Sequence, residues 1–205
     1  MNNQPAVKLS WEQAALFCNW LSRQEGLPLF YQIANGIVSG FNWDAHGYRL
    51  PTEAEWAWAA KIDNNGKAKV FSWANELYPP QQVTDNYADQ SASRFLSFTL
   101  SNYNDGFPVA TDIGSFKPNS KGLYNMSGNV SEWVNDYYDV RSHRGEPKMD
   151  PKGPATGSRH VIRGASWALG SRAELRLSYR DAGADARLDV GFRIARYVDK
   201  PGAGL

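Results

Sequence analysis

The stretch Gly122-Leu123-Tyr124-Asn125-Met126-Ser127-Gly128-Asn129-Val130-Ser131-Glu132-Trp133 decides how this chain is read. Asn125 and Glu132 bracket a turn containing Gly128, whose carbonyls are able to point inward. Amide, carboxylate and backbone oxygens form the donor set of a hard cation, and calcium takes six to eight of them. The alternative is that Asn125 and Glu132 cap turns with no ion between them.

Downstream of this stretch, short apolar pieces alternate with polar turns. Val161-Ile162 and Phe192 to Tyr197 read as strands. Upstream, residues 74–120 show no long periodicity and carry Pro79-Pro80 and the run Asn102-Tyr103-Asn104-Asp105-Gly106. A loop of that length inside a folded domain is functional or is held by something other than a core, and a bound cation is one such device. Lys69 to Trp73 reads as a short strand after an Asn64-Asn65-Gly66 turn.

Two helices stand ahead of the loop. Ser10 and Gln13 form a capping-box pattern, and Trp11, Ala14, Phe17, Cys18 and Leu21 follow at helical spacing until Gly26 and Pro28 stop the helix. Thr52 and Glu55 repeat that pattern, opening a helix over Glu53 to Lys61 with Trp56, Ala57 and Ala60 on one stripe.

Composition bounds the rest. The 205 residues suffice for one domain, and 42% hydrophobic with 21% charged residues is ordinary globular content. A formal net charge of +1 gives no footing for nucleic acid. No apolar run approaches the ~18 residues of a membrane span, and no signal peptide opens the chain, so the cytoplasm is the default compartment. A single cysteine, Cys18, excludes an internal disulfide and falls on the apolar stripe of the first helix.

Four ordered segments together resemble the formylglycine-generating enzyme, or sulfatase-modifying factor, family. They are Leu9-Ser10-Trp11-Glu12-Gln13-Ala14 running to Cys18-Asn19-Trp20-Leu21, then Gly47-Tyr48-Arg49-Leu50-Pro51-Thr52-Glu53-Ala54-Glu55-Trp56, then the opening stretch, and last Arg163-Gly164-Ala165-Ser166-Trp167 with Gly191-Phe192-Arg193. The resemblance covers nearly the whole chain. It implies one α+β domain over 1–205, C-type-lectin-like, with little regular secondary structure. Relatives carry further residues ahead of the Ser-Trp helix, so the resemblance also implies a missing N-terminal segment. On that reading the chain is a fragment, a shortened gene product or a subunit that borrows the segment from a partner, and a homo-oligomer is a separate expectation.

The resemblance further implies two structural calcium sites. Asn86, the Tyr87 carbonyl, Asp105 and the Phe107 carbonyl match one. Asn125, the Gly128 and Val130 carbonyls and Glu132 match the other. Each set contains one carboxylate.

Catalytic members of the family hold copper through two cysteines lying between the Arg-Gly-x-Ser and Gly-Phe-Arg motifs. Here that stretch begins Trp167-Ala168-Leu169-Gly170-Ser171-Arg172-Ala173-Glu174-Leu175-Arg176-Leu177 and has no cysteine. Soft thiolates suit Cu(I), and neither oxygen nor guanidinium replaces them, so no copper and no formylglycine synthesis are expected. His46, His143 and His160 are too scattered to suggest a three-histidine iron site.

Eight arginines, 159, 163, 172, 176, 180, 187, 193 and 196, face Glu174, Asp181, Asp185 and Asp189. Most read as ion pairs bracing irregular loops. Arg172 and Arg176 fall where the family's cleft would lie. The favoured reading is a calcium-stabilised, non-catalytic module that binds a ligand or protein through segments 131–144 and 166–188. Tyr137, Trp167, Arg172, Glu174, Arg176 and Tyr179 are its contact candidates, because aromatic and arginine side chains dominate binding surfaces. Two alternatives stand beside it. One is an oxidative enzyme of the family using non-cysteine chemistry. The other is the variable protein of a diversity-generating retroelement, against which stands the absence of Asn between Trp167 and Phe192.

Overall fold

Two capping boxes set the helices. In the computed structural model, which describes residues 3–73, 77–140 and 149–198, helix α1 runs Trp11–Gln24. Its N-cap Ser10 accepts from the Gln13 N–H, while the Gln13 side chain accepts from the Ser10 N–H. Helix α2, Glu53–Lys61, opens in the same way on Thr52 and Glu55. Glu55 does double duty, since both its oxygens also accept from Arg49, at 2.6 and 2.7 Å.

Each helix buries one stripe. On α1 that stripe is Trp11, Ala14, Ala15, Cys18, Asn19 and Ser22, and Phe17, expected on it, lies outside, 41% exposed. There Phe17 rests on Trp20 and Phe192, ring centroids 5.4 and 5.5 Å away. On α2, Trp56 and Ala60 are buried and Ala57 is half-buried.

Between the helices, β1 (Tyr31–Ala34) and β2 (Ile37–Phe41) form an antiparallel hairpin. Its turn is Asn35-Gly36, with φ of 53° and 79°. An Asn-Gly pair between apolar runs is a strong hairpin signal, since both central residues of a type I′ turn need positive φ.

The main sheet has four strands in the order β5-β4-β3-β6: β3 Ser131–Tyr137, β4 His160–Arg163, β5 Arg180–Gly183 and β6 Val190–Phe192. β4 pairs antiparallel with β3 and β5, and β6 pairs parallel with β3. β3 is buried at every position up to Asp136. Two expectations change here. Phe71 and Trp73 of the expected strand 69–73 instead stack on each other in the core, centroids 4.5 Å apart. The nearest ladder contact to that stretch is a single bridge between Ile62 and Ala68. The expected strand 192–197 reduces to the end of β6 plus one bridge, Ala195 to Arg49.

The core falls into three clusters: α1 and the hairpin on Trp133 and Ile162, α2 on Val134 and Val161, and Phe71, Trp73, Tyr87 and Tyr103 under the long loop. Burying a large apolar side chain contributes roughly 1.5–3 kcal/mol, so the aromatics stabilise a fold with little ladder. Among the described residues no helix is long and apolar enough to cross a membrane.

Candidate functional site

The opening stretch folds directly onto residues 85–87. The Asn129 N–H donates to the Asn86 carbonyl at 2.8 Å. A Cβ on Gly128 would sit 2.7 Å from that same carbonyl oxygen and 2.7 Å from Asp85 Cγ. The two segments expected to hold cations are therefore in contact, and only glycine admits the approach.

Two amide oxygens in these segments are buried without a hydrogen-bond partner, Asn86 Oδ1 and Asn125 Oδ1. Each amide is held by its other end: Asn86 Nδ2 donates to the Val109 carbonyl at 2.8 Å, and Asn125 Nδ2 to Asp85 Oδ1 at 2.8 Å. Asn125 takes a left-handed φ of 53°, which asparagine tolerates better than most residues. A buried orphan acceptor is costly, and a hard cation is what such an oxygen suits.

Asp105 Oδ2 accepts from Tyr87 N–H at 3.0 Å and Oδ1 from Phe107 N–H at 2.8 Å. These bonds bring Asn86, Tyr87, Asp105 and Phe107 together. Burial, with Asp89 alongside, pushes the Asp105 carboxyl up to about 7. Around Asn125, Gly128 and Val130 are buried within the turn, but Glu132 is already engaged. Its Oε2 accepts from Trp56 Nε1 at 2.7 Å and Arg193 Nε at 2.6 Å, and its Oε1 from Arg193 Nη2 at 2.5 Å. That leaves a lone pair on Oε1 for a cation, with the carboxylate charge already met by Arg193. The donor chemistry fits calcium at both places, more fully at Asn86 and Asp105.

Sequence reasoning missed Asp85 and Asp89. Both are buried, and Asp89 Oδ2 accepts from the Asp105 N–H. Burial raises the Asp85 carboxyl to about 6. The signal was the run Asp85-Asn86-Tyr87-Ala88-Asp89, which places a carboxylate on each side of the amide. These carboxylates do not gather at one point: among the described residues no three of His, Cys, Asp and Glu form a metal-holding group. A cation here would be held mainly by amide and backbone oxygens.

Above these turns lies the loop 166–179. The Trp167 N–H donates to the Asn129 carbonyl at 2.9 Å, and the Ala88 N–H to the Leu169 carbonyl at 3.0 Å. Both candidate cation segments thus anchor this loop. Trp167 and Tyr179 are half-buried, and Arg172 and Arg176 are exposed. Glu174 is turned to local structure, its Oε2 accepting from the Gly170 and Ser171 N–H groups. Tyr137 does not join the group. It lies at the far end of β3, about 20 Å along the strand from Ser131, against His160 at 4.3 Å between centroids. The expected segments 131–144 and 166–188 do touch, Arg180 Nη1 donating to the Asp139 carbonyl at 3.2 Å and the guanidinium lying over the Tyr138 ring, while residues 141–144 lie outside the described residues.

Arginines 163, 180, 187 and 193 are ion-paired, as the loop-bracing reading expects. Arg163 and Arg180 reach Glu53, Arg187 reaches Asp181 and Asp189, and Arg193 reaches Glu132. Ser166 donates to Asp189 Oδ2 at 3.1 Å and accepts from the Ala168 N–H at 3.3 Å, which fixes it within its turn. His160 is buried between Trp11 and Tyr137, His46 sits beside Tyr197, and His143 lies outside the described residues. Cys18 is buried under α1, far in sequence from the loop 166–179.

A mixed α/β sheet carrying long loops, with the Asn-x-x-Gly turn, the Arg-Gly-x-Ser turn and the closing Gly-Phe-Arg side by side, defines a domain of the sulfatase-modifying type. The chain belongs to the FGE-sulfatase family, its residues 1–198 matching the Sulfatase-modifying factor enzyme 1-like domain. It is similar to the formylglycine-generating enzyme of Mus musculus, 32% identical over 167 residues, 81% of this chain and 36% of the relative. It is also similar to the inactive C-alpha-formylglycine-generating enzyme 2 of Mus musculus, 30% identical over 205 residues, 97% of this chain and 58% of the relative. Among solved structures it resembles Treponema denticola variable protein 1, with a TM-score of 0.75 and 29% identity over 95% of this chain and 71% of the other. The chain thus spans between about a third and three fifths of the length of these curated relatives.

Proposed function

We propose that this domain is a non-catalytic member of its family that holds structural calcium and uses the loop 166–179 to bind a ligand or protein. On this reading the scaffold is C-type-lectin-like, with oxygen-rich turns fixing the loop above them. The observation that carries it is the anchoring of that loop to both candidate cation segments, through Trp167 to Asn129 and Ala88 to Leu169. Calcium would be held by Asn86, Asp105 and the Tyr87 and Phe107 carbonyls, and by Asn125, Glu132 and the Gly128 and Val130 carbonyls. It would stiffen the support beneath Trp167, Arg172 and Arg176.

The argument against formylglycine synthesis rests on thiol arithmetic. The chain has one cysteine, it lies in α1, and a Cu(I) site of the family type needs two near the loop. The similarity to an inactive relative over 97% of the chain agrees with this reading. The test is a peptide and small-ligand array probed with the whole chain, alongside Trp167→Ala and Arg172→Ala. Binding that is unchanged in both variants removes the loop from consideration. Metal analysis of the purified protein should find calcium and no stoichiometric copper.

A second reading, the displayed variable protein of a diversity-generating retroelement, is favoured by the similarity to Treponema denticola variable protein 1. It requires a template repeat and a reverse transcriptase in the neighbouring DNA, and their absence there eliminates it.

A further inference from the structure

Asp85 belongs to neither candidate calcium set, yet it touches both. Its Oδ1 accepts from the Asn86 backbone N–H at 3.0 Å and from Asn125 Nδ2 at 2.8 Å. Its Oδ2 accepts from Ser127 Oγ at 3.2 Å. The residue is 4% exposed, its hydrogen-bond donors are neutral, and the Arg193 charge acts on it only from farther away. It is a buried anion met only by neutral donors.

An amide side chain has two ends, so fixing one aims the other. Donation of Asn125 Nδ2 to Asp85 turns Asn125 Oδ1 away, and that oxygen is buried without a partner. On the other side, the bond to the Asn86 N–H fixes the backbone from which the second orphan oxygen, Asn86 Oδ1, projects. Gly128 lies close to the Asp85 carboxyl, since a Cβ there would come within 2.7 Å of Asp85 Cγ. One oxygen atom therefore aims the Asn125 amide and braces the backbone carrying Asn86, whose own amide is turned by its bond to the Val109 carbonyl.

We propose that Asp85 is a positioning residue shared by the two calcium sites, orienting the Asn125 amide, bracing the Asn86 backbone and coupling the two ions through one carboxylate. This rests on the calcium reading above. Groups behind the metal ligands that hold them in place commonly govern affinity by 10–100-fold. A buried anion between two cation sites also lowers the electrostatic cost of filling both.

The test is calorimetric titration of calcium into the chelator-stripped whole chain and into Asp85→Asn and Asp85→Ala, with melting temperatures in chelator and in saturating calcium. The wild type should take up two ions. Asp85→Asn should weaken both sites together by about 10-fold or more, and Asp85→Ala should do so further. In chelator Asp85→Asn should melt at or above the wild type, because an uncompensated buried charge has gone, while its calcium-induced rise shrinks. That pairing separates positioning from a merely structural role, and Asp85→Asn alone reads it if Asp85→Ala does not fold. Two ions bound with unchanged affinity in Asp85→Asn would overturn the proposal and leave the calcium reading standing. A lower melting temperature in chelator with an unchanged calcium-induced rise would do the same. A wild type that binds no calcium would overturn both.

Discussion

Arg193 grips Glu132 with two guanidinium nitrogens, Nε to Oε2 at 2.6 Å and Nη2 to Oε1 at 2.5 Å, and its Nη2 also reaches the Tyr124 carbonyl at 3.1 Å. The closing Gly-Phe-Arg motif is thereby tied to both ends of the Asn125 turn. The Glu132 side chain is 6% exposed in this pair. Breaking a buried pair from one side strands a charge and costs about 3–5 kcal/mol. Arg193→Ala should lose that much in urea unfolding, and Glu132→Gln added to it should recover part. Additive losses would show that the two groups act independently.

Burial holds His160 neutral, its pKa pushed down to about 4. The ring stacks on Trp11 at 3.6 Å between centroids and faces the Asn135 carbonyl through Nδ1. The unfolded chain binds a proton near 6.5 that the folded chain refuses, so this stabilisation is complete above that pH. It is lost as pH falls toward 4, amounting to about 3 kcal/mol. Asp136, raised to about 7 by burial, works in the opposite direction: its contribution is complete below the ordinary carboxylate range and is lost as pH rises through 7. The comparison is therefore made within one residue. His160→Gln should flatten the acid limb between pH 6.5 and 4 relative to the wild type, in stability measured by denaturant at each pH.

Gly128 sits where an added methyl would meet the Asn86 carbonyl and Asp85 at 2.7 Å. Forcing a methyl into a packed site costs about 1–3 kcal/mol, and here the obstacle is backbone. Gly128→Ala should lower the unfolding free energy in urea by that amount and, on the calcium reading, weaken calcium binding as well. A wild-type midpoint would mean that the two turns separate freely.

The Cys18 thiol is raised to about 12 by burial beneath α1. Only a thiolate attacks an alkylating agent, so native protein should resist iodoacetamide at pH 8 and react once unfolded. Labelling of the native chain at the unfolded rate would show that α1 opens readily.

The sequence by itself determined the two helices, because a capping box is a local device spanning Ser10 to Gln13 or Thr52 to Glu55. It determined the family through ordered motifs, and it excluded a two-thiolate copper site through one cysteine count. The Asn35-Gly36 hairpin was equally local, but sequence reasoning missed it. Tertiary structure alone decided the parallel pairing of β6 with β3, the separation of Tyr137 from Trp167, and the place of Asp85. The reason is distance along the chain: Asp85 and Asn125 meet across 40 residues of aperiodic loop, where neither spacing nor propensity records which oxygen will face which nitrogen.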